Sequence, residues 1–161
     1  MPRRYIQGEF GSTNEDYKEV LNTALGYLLI AELAEEKAVE VNNFRFAYNS
    51  NLAFSIELFI KSIVATSEER RVFAVGGAQI TRQLAKSNIK EHKLGALFDK
   101  LPEDCKTKLG LLFEKHVCNV SCMPLSSVLN DIENAFVDNR YIFEKGGLTS
   151  ANESELLCSV F

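Results

Sequence analysis

Residues 44–67 read Phe44-Arg-Phe-Ala-Tyr48-Asn-Ser-Asn-Leu52-Ala-Phe-Ser-Ile56-Glu57-Leu-Phe-Ile60-Lys61-Ser-Ile63-Val-Ala-Thr-Ser67. Leu52, Ile56, Phe59, Ile60 and Ile63 recur at steps of three and four, the period of one helix face. The spacing predicts a long helix over 44–67 with that face inward. Glu57 and Lys61 stand four residues apart, a favourable ion pair placed on the helix flank.

Toward the N-terminus, a first long helix is predicted from Thr13 or Asn14 to about Val41. Either residue can cap the exposed backbone N–H groups, and Glu15 and Asp16 suit the positive helix end. Val20, Ala24, Tyr27, Leu28, Ala31, Ala34, Ala38 and Val41 form its buried stripe, and Asn42-Asn43 breaks it. Toward the C-terminus, Glu68–Ala78 reads as a connection and Gln79–Lys86 as a short helix. Asn88–Glu91 then turns into a short helix at His92–Lys100 carrying Leu94, Leu97 and Phe98. Pro102 suits the first turn of the next helix, which runs to His116 and buries Leu109, Leu112 and Phe113. After a loop at Val117–Leu125, Ser126 or Ser127 caps a last long helix ending at Gly146-Gly147. Its inner face is Leu129, Ile132, Ala135 or Phe136, Asn139 and Phe143. No strand is predicted. The expectation is all-α: an antiparallel up-and-down bundle of three long and two or three short helices over residues 13–147. Residues 148–161 form a tail or one short helix. Glu9-Phe10-Gly11-Ser12 reads like the translation of adjacent cloning sites, so residues 1–12 are set aside as a vector-derived or disordered tail.

Composition agrees. The 161 residues are 46% hydrophobic and 25% charged, which excludes a disordered chain. Only nine Gly and three Pro interrupt them, few enough to favour helices over turns. The net charge of −4 implies no partner, although residues 82–115 carry eight basic and five acidic groups and so offer a mildly anion-attracting stretch. The longest charge-free apolar run, the twelve residues Val20–Ala31, falls short of the roughly 20 a spanning helix needs. Met1–Ser12 lacks the apolar core of a signal peptide, so the chain reads as cytoplasmic and not membrane-bound. Cys105, Cys118, Cys122 and Cys158 lack the spacing of a disulfide framework and are read as reduced thiols. His116, Cys118 and Cys122 make only half of a structural zinc site, so no metal is assigned.

Most enzyme motifs are missing. Gly76-Gly77 is not followed by the Lys-Ser/Thr of a phosphate-binding loop, and neither a Gly-x-Ser-x-Gly elbow nor a His-Glu-x-x-His helix occurs. Phe44, Phe46 and Tyr48 stand at core spacing and read as packing. No cofactor is implied.

Three stretches, in order, resemble the HEPN superfamily of small helical domains. Asn51–Lys61 is similar to its second long helix, with Ala53, Glu57, Leu58 and Lys61 in an "A-x-x-x-E-L-x-x-K" rhythm. His92-Lys93-Leu94-Gly-Ala-Leu97-Phe98-Asp-Lys-Leu101 is similar to the family's "H-x-L-x-x-L-F-x-x-L" short helix. Ala135–Glu144, with Arg140, Tyr141 and Glu144 in "R-Y-x-x-E", is similar to the terminal helix. Together they cover about residues 50–145.

The resemblance implies a homodimer joined through the terminal helices, a nucleotide, RNA or separately encoded protein partner, and a setting in prokaryotic phage defence, toxin–antitoxin or stress systems. Active members follow the Arg of the terminal helix with a His four to six residues later. Here Arg140 is followed at those positions by Glu144, Lys145 and Gly146, so the group that exchanges protons near neutral pH is missing. The resemblance therefore implies a non-catalytic binding or scaffold protein. Its ligand-binding candidates are Arg140, Asn139, Tyr141, Glu144 and His92. Arg140 holds a phosphate or carboxylate, or instead pairs with Glu144 or with Glu57 across the bundle. Asn139, facing inward, needs hydrogen-bond partners and so implies a network with Arg140 or an interface. His92 either orders a helix start or serves a ligand. Two alternatives stand beside this reading. One is a metal-independent ribonuclease using Arg140 with a histidine from elsewhere, His92 or His116. The other is a helical oligomerisation module without a ligand.

Overall fold

The structure, a computed structural model, describes residues 16–38, 44–75, 78–117, 123–140 and 157–160. Two long helices, α1 (Asp16–Ala38) and α2 (Phe44–Ile63), pack side by side. A hairpin follows, β1 (Ala65–Val75) and β2 (Ala78–Ser87). Among the described residues four more helices follow: α3 (Leu94–Asp99), α4 (Glu103–Val117), α5 (Leu125–Asp131) and α6 (Ala135–Arg140). The molecule is an all-α bundle in its architecture, with one β-hairpin inserted between α2 and α3.

Small residues set the α1–α2 seam. Ala24, Ala31 and Ala34 on α1 are buried, and Ala53 on α2 is fully so. At this seam the backbones approach closely enough for Ser55 Oγ to donate to the Ala24 carbonyl at 2.8 Å. The main core then gathers Leu52, Ile56 and Ile60 from α2, Leu94, Leu97 and Phe98 from α3, Leu101 after it, Phe113 from α4, and Leu125, Val128, Leu129, Ile132 and Ala135 around α5 and α6. Leu157, fully buried, returns the C-terminal turn to the same core. Beside it Tyr48 Oη and Cys158 Sγ lie 2.7 Å apart, and burial with this contact pushes the Tyr48 hydroxyl well above its ordinary range. Burial likewise raises the Cys105 thiol. No helix among the described residues is long and apolar enough to cross a membrane.

Three expectations are corrected. Helix α2 stops at Ile63, and 65–87, expected as a connection and a short helix over Gln79–Lys86, form the antiparallel hairpin. Val75 pairs with Ala78 on either side of Gly76-Gly77 in the sequence, the dipeptide type that two-residue hairpin loops favour. A bulge interrupts the ladder between Arg71 and Phe73. Such a hairpin is marginal alone; this one leans on α1, where Ala85 N donates to Glu19 Oε2 at 3.4 Å. The second correction concerns the last long helix, which divides at Ile132–Asn134 into α5 and α6. Asn130, Asp131, Glu133 and Asn134 crowd that break, and Asn and Asp side chains compete with helical backbone bonds. Third, Leu112 is 46% exposed instead of buried, whereas Phe113 is inward as expected. The expected caps Thr13 and Asn14, Val41, Phe143, the stop at Gly146-Gly147 and the tail 1–12 lie outside the described residues.

Helix α3 reaches α5 at Gly95. A Cβ there would meet Asn130 Oδ1 at 1.8 Å, Asn130 Cγ at 2.8 Å and the Asn130 Cα at 3.3 Å. The amide can swing away, but the backbone contact remains tight. Gly95→Ala is therefore expected to destabilise the fold by about 1–3 kcal/mol through overpacking, measured by equilibrium denaturation in urea.

Candidate binding site

Glu57 stands between Ile56 and the Ile60–Lys61 turn of α2 and is only 2% exposed. A carboxylate so placed requires partners. Lys61, one turn on and itself buried, donates from Nζ to Glu57 Oε1 at 2.6 Å. His92 Nδ1 lies 3.0 Å from the same oxygen, although it comes from 35 residues further along the chain. Glu57 Oε2 is buried and has no hydrogen-bond partner among the described residues. The sequence placed the Glu57–Lys61 pair on the flank of the helix; in the structure it is an ion pair inside the bundle.

The histidine is oriented differently from its partner. Its side chain is 70% exposed, so only the Nδ1 edge meets the buried carboxylate. A carboxylate at Nδ1 assigns the proton to that nitrogen. Nε2 then faces outward as an acceptor when the ring is neutral and a donor when it is charged.

The chain around His92 is fixed from three sides. Glu91 Oε1 accepts the backbone N–H groups of His92 at 3.0 Å and Lys93 at 3.2 Å. Its other oxygen, Oε2, accepts Lys100 Nζ at 3.2 Å from beyond the end of α3. These bonds, the His92 N–H first among them, hold the Glu91 carboxyl at about 2, below its ordinary 4.5. Lys93 Nζ binds Glu133 Oε1 at 3.0 Å and ties the same turn to the α5–α6 break. From below, Leu94, Leu97 and Phe98 sink into the core and set the depth of the helix.

Helix α6 also packs on α2. Phe136 stacks on Phe54 of α2 with ring centroids 5.0 Å apart, and Phe54 meets Tyr27 of α1 edge-on at 4.6 Å. Phe54 is one turn before Glu57. Asn139 and Arg140 belong to α6, which packs on α2, but their side chains lie outside the described set. Tyr141 and Glu144 lie outside the described residues altogether. Of the candidates, His92 is thus joined to Glu57, whose Oε1 also accepts Lys61. Glu57 is the residue the sequence undervalued; it stands one turn after the buried Ala53, in one row with the buried Asn49 and Lys61. His116 is exposed on α4, and among the described residues no three His, Cys, Asp or Glu side chains gather as metal ligands.

No family model, curated protein or solved structure matches the chain.

The Glu91 clamp has a pH signature. Because its folded-state carboxyl titrates near 2 and its ordinary value is 4.5, its stabilisation is complete above pH 4.5 and is lost as pH falls toward 2. Glu91→Gln is expected to lower Tm at pH 7, and the gap from the unaltered protein should close between pH 4.5 and 2 in melts followed by circular dichroism.

Proposed function

We propose that this chain is a HEPN-like binding protein that takes a phosphate-bearing ligand, a nucleotide or RNA, at the surface around His92 without cleaving it. The observation that carries the reading is the convergence of Glu57, Lys61 and His92. These are the polar positions of two separate stretches that resemble the family, and they share one carboxylate oxygen. The apolar positions of the second stretch, Leu94, Leu97, Phe98 and Leu101, are all buried, as a helix docked by that pattern requires. Lys90, Lys93 and Lys100 are exposed within eight residues of His92 along the chain, Lys93 paired with Glu133 and Lys100 with Glu91. Arg140 of α6 supplies a planar fork for the phosphate in this reading, with Asn139, Tyr141 and Glu144 as its further candidate residues. We place the protein in the cytoplasm as a homodimer, with a separately encoded partner protein, in a prokaryotic defence or stress system.

One feature favours a second reading. A histidine whose Nδ1 rests on a buried carboxylate has the arrangement of an oriented general base. With Arg140 it would make a metal-independent ribonuclease that uses His92 in place of the missing terminal-helix histidine.

Fluorescence anisotropy with a labelled single-stranded RNA, run in EDTA and analysed afterwards on a denaturing gel, separates the two. Binding that weakens with salt, weakens about tenfold in His92→Ala and leaves the RNA intact is the expected result. Cleavage by the unaltered protein that disappears in Arg140→Ala and His92→Ala overturns it in favour of the ribonuclease. Binding unchanged in both variants removes the ligand from this surface.

A further inference from the structure

The β-hairpin lies between the stretches that carry the family resemblance, and its ladder sorts its residues onto two faces. Side chains alternate along a strand, and residues directly opposite share a face. Ala65, Ala85 and Ser87 are half-buried, and Ala85 lines a shallow cleft with Glu19, Val20 and Thr23 of α1 and Leu58 of α2. Thr66, Glu68 and Lys86, on the alternate face, are exposed. One face is thus turned to the helices and the other to solvent. From Ala65 to Arg71 the ladder runs without a shift, so the register carries the outward face up to Arg70.

There Arg70 stands directly across from Arg82. Like charges at opposed positions destabilise a ladder, and a two-stranded hairpin has little stability to lose. The outward positions from Thr66 to Arg70 and from Arg82 to Lys86 hold three basic residues, Arg70, Arg82 and Lys86, against Glu68 alone. Glu68 and Lys86 form an ion pair on this face. The register sets the two arginine Cβ atoms about 5 Å apart, close enough for two planar forks to bracket one phosphate. An anion between them turns the repulsion into two attractions. Beyond them Phe73 stands opposite Ile80, which is two residues from Arg82 and so on the same side of the ladder. Paired arginines beside an aromatic position suit a single nucleic-acid strand, whose phosphate is held while its base stacks. A lipid surface fits less well, because Glu68 on the same face would meet anionic headgroups.

We propose that the outward face of the hairpin is a second binding site, for single-stranded RNA, with Arg70 and Arg82 holding one phosphate and Phe73 receiving the adjacent base. It shares the RNA of the reading above but not the site at His92, so the two fail separately. The test is fluorescence anisotropy of a labelled single-stranded RNA with the full chain over a range of salt. Arg70→Gln with Arg82→Gln is expected to weaken binding about tenfold to a hundredfold. Its salt dependence should become shallower by about 0.7, the counterion release of one phosphate. Phe73→Ala should weaken binding about fivefold to tenfold with the salt dependence unchanged. Arg71→Gln, on the other face of the ladder, should leave binding as it is. Without RNA the double arginine variant should keep or raise its Tm, because the opposed charges are gone.

A fall in that Tm shows that the arginines serve the fold and overturns the site. An equal loss of affinity in Arg71→Gln shows diffuse attraction and overturns it too. An affinity unchanged in Phe73→Ala overturns the stacking of the base. RNA binding that survives the double variant but weakens in His92→Ala overturns this site and leaves the reading above standing; the converse pattern overturns that reading and supports this site. No RNA binding by the unaltered protein overturns both. If the protein then sediments with phosphatidylserine vesicles, and the double variant does not, the arginine pair belongs to a lipid surface.

Discussion

One carboxylate organises the middle of this molecule. Glu57 is shut away from water and its Oε1 is shared by Lys61 and His92. Taking a charge from water costs several kcal/mol, returned only when the geometry supplies partners. Lys61 is available wherever α2 forms, because i and i+4 share a helix face. The imidazole is not local. It arrives only if the chain leaves α2, runs out and back as the β-hairpin, and enters α3 at the right level. The Glu57–His92 bond therefore couples the seating of α3 to the completion of α2.

The seating of α3 has its own supports, and they act on different scales. Buried Leu94, Leu97 and Phe98 provide the bulk of the attraction through apolar area. Gly95 sets how closely the helix can approach Asn130. Glu91 then satisfies two backbone N–H groups at the helix entrance, a task that the backbone itself cannot perform at an N-terminus. Hydrophobic burial positions the helix roughly; the carboxylate clamp and the Glu57 bond fix where its first residues point. At the other seam, α1 and α2 reach their close approach by using alanine, and this leaves the large aliphatic residues of α1 on the side away from α2. The tight internal seam and the exposed leucine face are two results of one residue distribution.

Much of this was legible in the sequence, because periodicity is a direct record of which side chains meet the core. The stripes of α1, α2 and α3 emerged from it with boundaries within a few residues where these are described. The hairpin did not. Glu68-Glu69-Arg70-Arg71 breaks the apolar alternation that identifies a strand, and Gly76-Gly77 reads equally as a connection between helices. Pairing at long sequence separation supplied what the local pattern lacked. The break at Ile132–Asn134 is of another kind: no Gly or Pro stands there, and only the density of Asn, Asp and Glu marks it. At the site, His92 was legible as a candidate. Glu57 looked like half of a pair on the helix flank, because spacing reports which helix face a residue is on but not how deeply a neighbouring element covers it.

The exposure of His92 bears on what the cluster is for. A histidine retained only to satisfy Glu57 would be most effective buried beside it, where the surrounding medium strengthens the bond and no ring surface is left in water. Here the ring is 70% exposed and only one nitrogen edge turns inward. Glu91 holds the backbone N–H groups of His92 and Lys93, while Lys100 bonds the Glu91 carboxylate and Glu133 the Lys93 ammonium. An exposed side chain anchored at one atom and supported at its backbone loses little orientational freedom when a ligand reaches its other nitrogen. Such preorganisation strengthens binding by reducing the ordering cost. It would equally serve a proton acceptor, because both roles use the same outward Nε2. What separates them is whether a second charged group, such as Arg140 on α6, holds a phosphate within reach of that nitrogen. The contact between Phe136 and Phe54, one turn from Glu57, brings the backbone of α6 to the helix that carries the carboxylate. The binding reading needs only that Arg140 and His92 face one ligand, a looser geometric condition than proton transfer imposes.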